Sequence, residues 1–210
     1  EKVRQKKNVT LLENTPLVDL IVRGNVALGG VIKRNNQEEK VYAKKVVLAP
    51  GRDGSAWLTK VLSNQGLKLY NNQVDIGVRV ETSNIVMEEI NKNLYEGKFV
   101  YNTSVGTKVR TFCSNPSGHV VIENHSGTML ANGHAYHDPK LGSKNTNFAL
   151  LVSHTFSEPF NEPNEFAHEI SRLANKLSNG SVIVQRYGDI KRGRRTTYKR
   201  LNPSWAAKRG

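Results

Sequence analysis

The sequence predicts an α+β chain in which short, mainly antiparallel strands outnumber a few helices. Three observations carry this expectation. Residues 9–50 read as successive short runs of β-branched and apolar residues broken by turn-forming clusters. Residues 56–65 and 162–177 space their apolar side chains at three and four, the helical period. Between those helices, turns rich in Asn, Ser and Gly separate further strand-sized runs.

Taken in order, Val9-Thr10-Leu11-Leu12 is a short apolar run that stops at the turn-forming Glu13-Asn14-Thr15-Pro16. Residues 17–23 and 26–34 read as strands on either side of a turn at Gly24-Asn25, and Asn35-Asn36-Gln37-Glu38 forms a polar loop. Residues 39–45 lead into Val46-Val47-Leu48-Ala49, a run with no polar face that suits a strand covered on both sides. Pro50-Gly51-Arg52-Asp53-Gly54-Ser55 ends that run, since proline removes a backbone donor and glycine permits a turn or close approach. A helix follows over 56–65, with Trp57, Leu58, Val61 and Leu62 on one stripe and Gly66 at its C-terminal cap. A buried strand, a glycine-bearing loop and a helix in this order mark the strand ends where ligands gather in open α/β sheets.

Beyond Leu67 the character changes. Residues 74–81 alternate, with Ile76, Val78 and Val80 on one face, and Ile85, Val86 and Ile90 suggest a short helix over 83–91. Strands are expected at 99–101, 108–113, 119–123, 128–130 and 148–152. The clearest helix covers 162–177, where Phe166, Ile170, Leu173 and Leu177 recur on one stripe and Asn179-Gly180 closes the end. Residues 181–184 begin a last strand.

The 210 residues carry a formal charge of +13, yet thirteen basic and two acidic residues of the two ends, 1–7 and 186–210, account for +11 of it. Residues 8–185 carry only +2, so the body is nearly neutral. Basic ends are open to three readings: contacts to a phosphate backbone, surfaces that meet another part of the parent chain, or solvated tails. Direct nucleic-acid binding, with Arg192-Gly193-Arg194-Arg195 as its centre, is kept as the alternative function. The one cysteine, Cys113, excludes an internal disulfide. No apolar run approaches the ~20 residues of a membrane span, and no secretory h-region is visible, so a cytoplasmic protein is expected. A first residue other than methionine gives the expectation of an excised piece.

Three stretches together resemble one family. Val46-Val47-Leu48-Ala49-Pro50-Gly51-Arg52-Asp53-Gly54-Ser55, with the strands before it, resembles the sheet and glycine signature that close the FAD-binding domain of two-dinucleotide-binding-domain flavoproteins. Ile76-Gly77-Val78-Arg79-Val80-Glu81 is the second stretch. The third joins Thr111-Phe112-Cys113-Ser114-Asn115-Pro116-Ser117-Gly118 to Ala131-Asn132-Gly133-His134-Ala135-Tyr136-His137. The ordered set is similar to the bacterial NAD(FAD)-utilising dehydrogenases, from about Val9 to Leu201.

The resemblance implies an FAD-dependent oxidoreductase, with NAD(P)H as a candidate electron donor and a second domain inserted into a Rossmann-like one. Residues 1–58 would then be the strand-rich remnant of the FAD-binding domain, and residues 59–210 the inserted, mainly antiparallel substrate-type domain. It implies cofactor contacts at Leu17, Gly51, Arg52 and Asp53, and substrate contacts at Arg79, Pro116, Gly118 and Asn132. Cys113, as a redox thiol, and His134 and His137, as acid or base, are the candidate catalytic groups. Each has an ordinary reading too: Leu17 as core, Gly51-Arg52-Asp53 and Pro116-Ser117-Gly118 as turns, Arg79 as a surface arginine, Cys113 as a small buried hydrophobe. The sequence departs from the family in three places. Pro50 stands for a threonine, and Asn115 and Ser117 replace a cysteine and a glycine of Cys-x-Cys-Pro-Gly-Gly, so Cys113 has no partner for a redox pair.

The string Gly-x-Gly-x-x-Gly is absent, and so is any P-loop. The chain is therefore expected to be inactive alone, to retain no FAD, and to have the remainder of its parent chain as partner. No metal is expected, because His134 and His137 lack further convergent ligands. Ser-His-Asp hydrolysis is rejected for want of a Gly-x-Ser-x-Gly elbow.

Overall fold

The computed structural model describes residues 2–201 and separates the chain into two compact units, with the boundary between Tyr70 and Asn71. In the first unit β1 (Leu17–Arg23), β2 (Val26–Arg34) and β3 (Gln37–Tyr42) form an antiparallel meander. Asn35 and Asn36 both take left-handed backbone angles (φ 49° and 61°), the geometry a two-residue hairpin needs, so the expected polar loop is tighter than predicted and Gln37 already belongs to β3. Helix α1 (Ser55–Asn64) follows the sequence pattern. Val61 is buried, Trp57, Leu58 and Leu62 are half-buried, and the Trp57 indole donates to the Val18 carbonyl at 3.3 Å.

Two expected strands of this unit do not form. Val9-Thr10-Leu11-Leu12 is irregular and exposed, held by turn bonds such as Val9 N–H to the Lys6 carbonyl. Val46-Val47-Leu48-Ala49 is not a strand, and Val47 is 88% exposed. The reason is pairing. A strand exists only beside another strand, and the meander stays in register no further than Tyr42, with Ala43 N–H still reaching the Leu28 carbonyl. After that the chain leaves the sheet, and the apolar run finds no edge among the described residues.

The second unit holds β4 (Val74–Ser83), β5 (Val100–Asn102), β6 (Lys108–Asn115), β7 (His119–His125), β8 (Thr128–His134) and β9 (Asn145–His154). Four of them build a sheet in the order β4-β9-β6-β5, and β7 and β8 form a separate hairpin closed at Ser126-Gly127. Every strand pairing is antiparallel, and the unit adds α2 (Glu88–Asn93), α3 (Pro163–Leu177) and α4 (Tyr187–Lys191). The architecture is thus mixed α+β, strand-rich and antiparallel, with few helices.

Four details differ from expectation. Residues 84–87 form turns, so α2 starts only at Glu88; Asn84 is drawn into a hydrogen-bond network instead. Strand β8 runs on to His134, which places Asn132, Gly133 and His134 on a strand rather than in a loop. Residues 181–184 find no partner strand among the described residues and form no strand. The predicted apolar stripe of α3 lies on the flank of its packed side: Phe166 meets the rings of His154 at the end of β9 and of Phe156, while Leu173 and Leu177 are exposed, Leu177 at 82%. The side that packs carries Ala167, Ser171, Ala174, Asn175 and Ser178. Asn175 explains the choice, because its side chain bonds the Met129 N–H (2.6 Å) and carbonyl (2.9 Å) of β8, and small neighbours let the helix come that close.

The centre of the second unit is polar. Thr111, Thr128, Asn145, Thr146, Asn147 and Asp189 are buried there, whereas Ala149 is its buried hydrophobe among the described residues. Buried polar groups persist only when hydrogen-bonded. Their partners define the site.

Candidate functional site

The site begins with a bulge in β6. Phe112 pairs with Ala149 of β9 and Asn115 with Asn147, so β6 carries one residue more than its partner between those pairs. Cys113 lies in the bulge with a left-handed backbone (φ 50°), which is uncommon outside glycine and asparagine. Three bonds hold it there. Its N–H donates to Glu96 Oε1 at 2.8 Å, and its carbonyl accepts from Arg79 Nη2 (2.8 Å) and Asn115 Nδ2 (2.9 Å). The thiol is half-buried, with Asn115 Nδ2 at 3.7 Å from Sγ.

Arg79 projects from β4 into the same place. Its Nε and Nη2 both donate to Oδ1 of Asn147, at 2.9 and 2.7 Å, leaving Nη1 outside these bonds. Asn147 is completely buried, its Oδ1 also lies 3.5 Å from Asn115 Nδ2, and its own Nδ2 has no hydrogen-bond partner. Gly133 of β8 closes the cluster from above the sheet. A Cβ there would overlap Arg79 Nη2, Asn147 Oδ1 and Asn115 Nδ2, so only glycine lets the hairpin backbone rest on the arginine. Gly118 has the same role at the start of β7, where a Cβ would sit 2.8 Å from the His134 carbonyl.

A second network anchors the loop between β6 and β7. Asn84 donates to Ser117 Oγ (3.0 Å) and to the Ser143 carbonyl (3.3 Å), while its Oδ1 accepts from Ser117 N–H and from Thr146 Oγ1. Asn91 Nδ2 donates to Thr146 Oγ1 at 2.8 Å, and Ser143 N–H donates to the Ser117 carbonyl at 2.7 Å. Beside this loop His119 and His134, cross-strand partners, both meet the ring of Tyr136 edge-on, at 5.6 and 5.0 Å. His119 Nε2 lies 2.8 Å from the Leu141 carbonyl. A peptide carbonyl only accepts, so Nε2 donates in this contact.

Part of the chain is similar to L-aspartate oxidase of Clostridium perfringens (strain 13 / Type A). The two are 30% identical over 79 residues, a stretch that covers 38% of this chain and 17% of that protein. The match therefore spans less than a fifth of the relative's length. No family model matches the sequence.

Of the residues singled out from sequence, the structure gathers Arg79, Cys113, Pro116 and Gly118 around the bulge, with Asn132 and His134 on the hairpin packed against it. Asn132 Nδ2 donates to Glu123 Oε1 (2.8 Å) and its Oδ1 accepts the Gly133 N–H, so it braces β8. His134 and His137 are exposed, His134 against Tyr136 and His137 in the loop after β8. Leu17, Gly51, Arg52 and Asp53 belong to the first unit: Leu17 opens β1 half-buried, and the other three form the exposed turn before α1, with Gly51 at φ 70°. Among the described residues no three His, Cys, Asp or Glu side chains converge as metal ligands, and no helix is long and apolar enough to cross a membrane.

Asn147, Asn84, Thr146 and Asn115 were missed as functional candidates. The signal was Asn145-Thr146-Asn147, three polar residues opening β9 ahead of its apolar run Phe148-Ala149-Leu150-Leu151-Val152. Asp189 was missed too. It is 2% exposed and collects the basic segment: Arg194 Nε at 2.6 Å, Thr196 Oγ1 at 3.0 Å and Arg200 Nε at 3.6 Å, the last an ion pair too long to be a hydrogen bond. The Arg194 hydrogen bond foremost, helped by Thr196 and by the charge of Arg200, holds the Asp189 carboxyl below its ordinary range against the opposing effect of burial. Lys208 and Arg209 of the basic end lie outside the described residues.

Proposed function

We propose that this chain is the substrate-domain portion of an FAD-dependent oxidoreductase, with the β6 bulge as the wall that faces substrate and flavin. The observation that carries the reading is the convergence of Arg79, Cys113 and Asn115 on one bulge, sealed by Gly118 and Gly133. The similarity to an oxidase over 79 residues supports the oxidoreductase class. A buried polar cluster that fixes a guanidinium and a left-handed cysteine is the kind of preorganised surface that positions a substrate without itself carrying the redox chemistry.

The described residues do not fit the cofactor's pyrophosphate. The N-terminus of α1 follows a turn rather than a paired strand, offers no side-chain cap, and has no Gly-x-Gly-x-x-Gly before it. The FAD would be held by the remainder of the parent chain. The same remainder would supply the strands that Val46-Val47-Leu48-Ala49 lacks, in a Rossmann-like sheet to which residues 1–58 contribute. NAD(P)H would be the electron donor, and the cytoplasm its compartment. Within the wall, Arg79 Nη1 would bind an anionic group of the substrate. Cys113 and His134 would face its reacting end, with His137 on the adjoining loop.

The competing reading, a nucleic-acid surface made by the basic ends, is weakened because Asp189 takes up Arg194 and Arg200. The test uses the protein of the full reading frame. Replacing Cys113 by serine, or Arg79 by glutamine, should shift the flavin absorption bands or fluorescence and leave the bound flavin content unchanged. Spectra identical to wild type in both variants would remove the bulge from the flavin's surroundings.

A further inference from the structure

Between the end of α3 and the segment after it lies a groove of about 420 Å³, within the size range of small-molecule sites. Its apolar lining is Leu177, Ile183 and Val184, and its polar lining includes Gln185, Arg195 and Thr196. Leu177 and Ile183 are both exposed there. An exposed apolar floor beside a cation is the chemistry of a site for an amphiphile.

Arg195 is one of the charges the fold leaves without an acid, and it is the one that lines the groove. Residues 186–200 contain seven basic side chains and one acid, Asp189. That acid is engaged by Arg194, Thr196 and Arg200. The Arg195 guanidinium has no hydrogen bond or ion pair among the described residues; only its backbone carbonyl is engaged, by Arg200 Nη2 at 2.6 Å. Its position is nevertheless fixed. Thr196 beside it donates N–H to Gln185 Oε1 (3.2 Å) and accepts the Arg186 N–H (3.0 Å), while Arg194 on the other side is pinned to Asp189. An uncompensated guanidinium on a backbone held from both sides is available to a planar anion.

We propose that this groove binds a small amphiphilic carboxylate, with its head on Arg195 and its apolar body on Leu177, Ile183 and Val184. The site is independent of the oxidoreductase reading and needs no cofactor. Titration of the 210-residue chain with octanoate, followed by calorimetry or by the methyl NMR signals of Leu177 and Ile183, should show saturable binding. Acetate, which lacks the tail, and octanol, which lacks the charge, should each bind at least about tenfold more weakly. Arg195→Gln should weaken octanoate by about tenfold or more, the effect of losing a charged hydrogen bond. Leu177→Ser should weaken it while leaving the acetate response unchanged. Both side chains are exposed, so the variants should keep the wild-type circular dichroism. Octanol binding as tightly as octanoate, an Arg195→Gln variant that binds like wild type, or no octanoate binding would overturn the proposal. So would Arg195-dependent binding to phosphatidylserine vesicles without binding of monomeric octanoate, which would assign the groove to a lipid surface.

Discussion

Gly133→Ala gives opposite signs depending on whether the arginine cluster is real. Gly133 does not occupy left-handed backbone space, so strand rules alone predict that alanine stabilises by about 0.4–1 kcal/mol, through a less flexible unfolded chain. The structure predicts the reverse. The new methyl would overlap Arg79 Nη2, Asn147 Oδ1 and Asn115 Nδ2. Asn147 is completely buried on the central strand and cannot retreat, so the arginine must. Arg79 would then lose two bonds to Asn147 and one to the Cys113 carbonyl. Hydrogen bonds to a charged group contribute roughly 1.5–3 kcal/mol each when buried. Arg79 is only half-buried and two of its bonds share one acceptor, so a net loss of about 2–4 kcal/mol is expected, above the usual 1–3 kcal/mol of overpacking. Urea denaturation should show a lower midpoint with an unchanged m value, and amide exchange should accelerate in β8 and β9. In an Arg79→Ala background the same glycine change should cost at least about 1 kcal/mol less, because the nearest of the three overlapping groups is gone. A neutral or stabilising Gly133→Ala, or the same cost in both backgrounds, would refute the packing of β8 on Arg79.

Three further outcomes follow from the same geometry. Thr146→Val keeps the shape of a completely buried side chain but removes the hydroxyl that donates to Asn84 Oδ1 and accepts from Asn91 Nδ2, so it should lower stability by about 1–3 kcal/mol in urea denaturation. Leu173→Lys, on the exposed part of the α3 stripe, should change stability by less than about 0.5 kcal/mol; a loss of about 2 kcal/mol or more would show that this stripe, not the Asn175 side, packs inward. The carboxyl of Asp189 has a folded pKa below its ordinary 3.8, so its contribution is complete above that value and is lost as pH falls through the lowered one. An acid titration of Asp189→Asn against wild type should therefore converge at low pH and diverge above about pH 4; parallel curves would contradict the clasp.

Much of the architecture was legible because it is local. The hairpin turns at Asn35-Asn36 and Ser126-Gly127, the α1 stripe and the extent of α3 all follow from residues close in sequence. What failed was pairing and facing. Val46-Val47-Leu48-Ala49 has the composition of a covered strand, but composition does not supply the neighbouring edges that make one. The stripe Phe166, Ile170, Leu173, Leu177 fixes the helix without fixing which side meets the sheet, and Asn175 decided that through two bonds to Met129. At the bulge, sequence singled out Arg79, Cys113 and Gly118, yet gave no sign that Asn147, 68 residues from Arg79, holds the guanidinium. An asparagine in a strand is recognisable as a partner for an arginine only once the register Glu81 opposite Asn147 is known.

The most direct test of the central claim is the visible absorption spectrum of the protein purified from its full reading frame, recorded beside that of the 210-residue chain. The account predicts flavin bands in the full-length protein and none in the shorter chain. A full-length protein that is colourless and takes up no added FAD would contradict it.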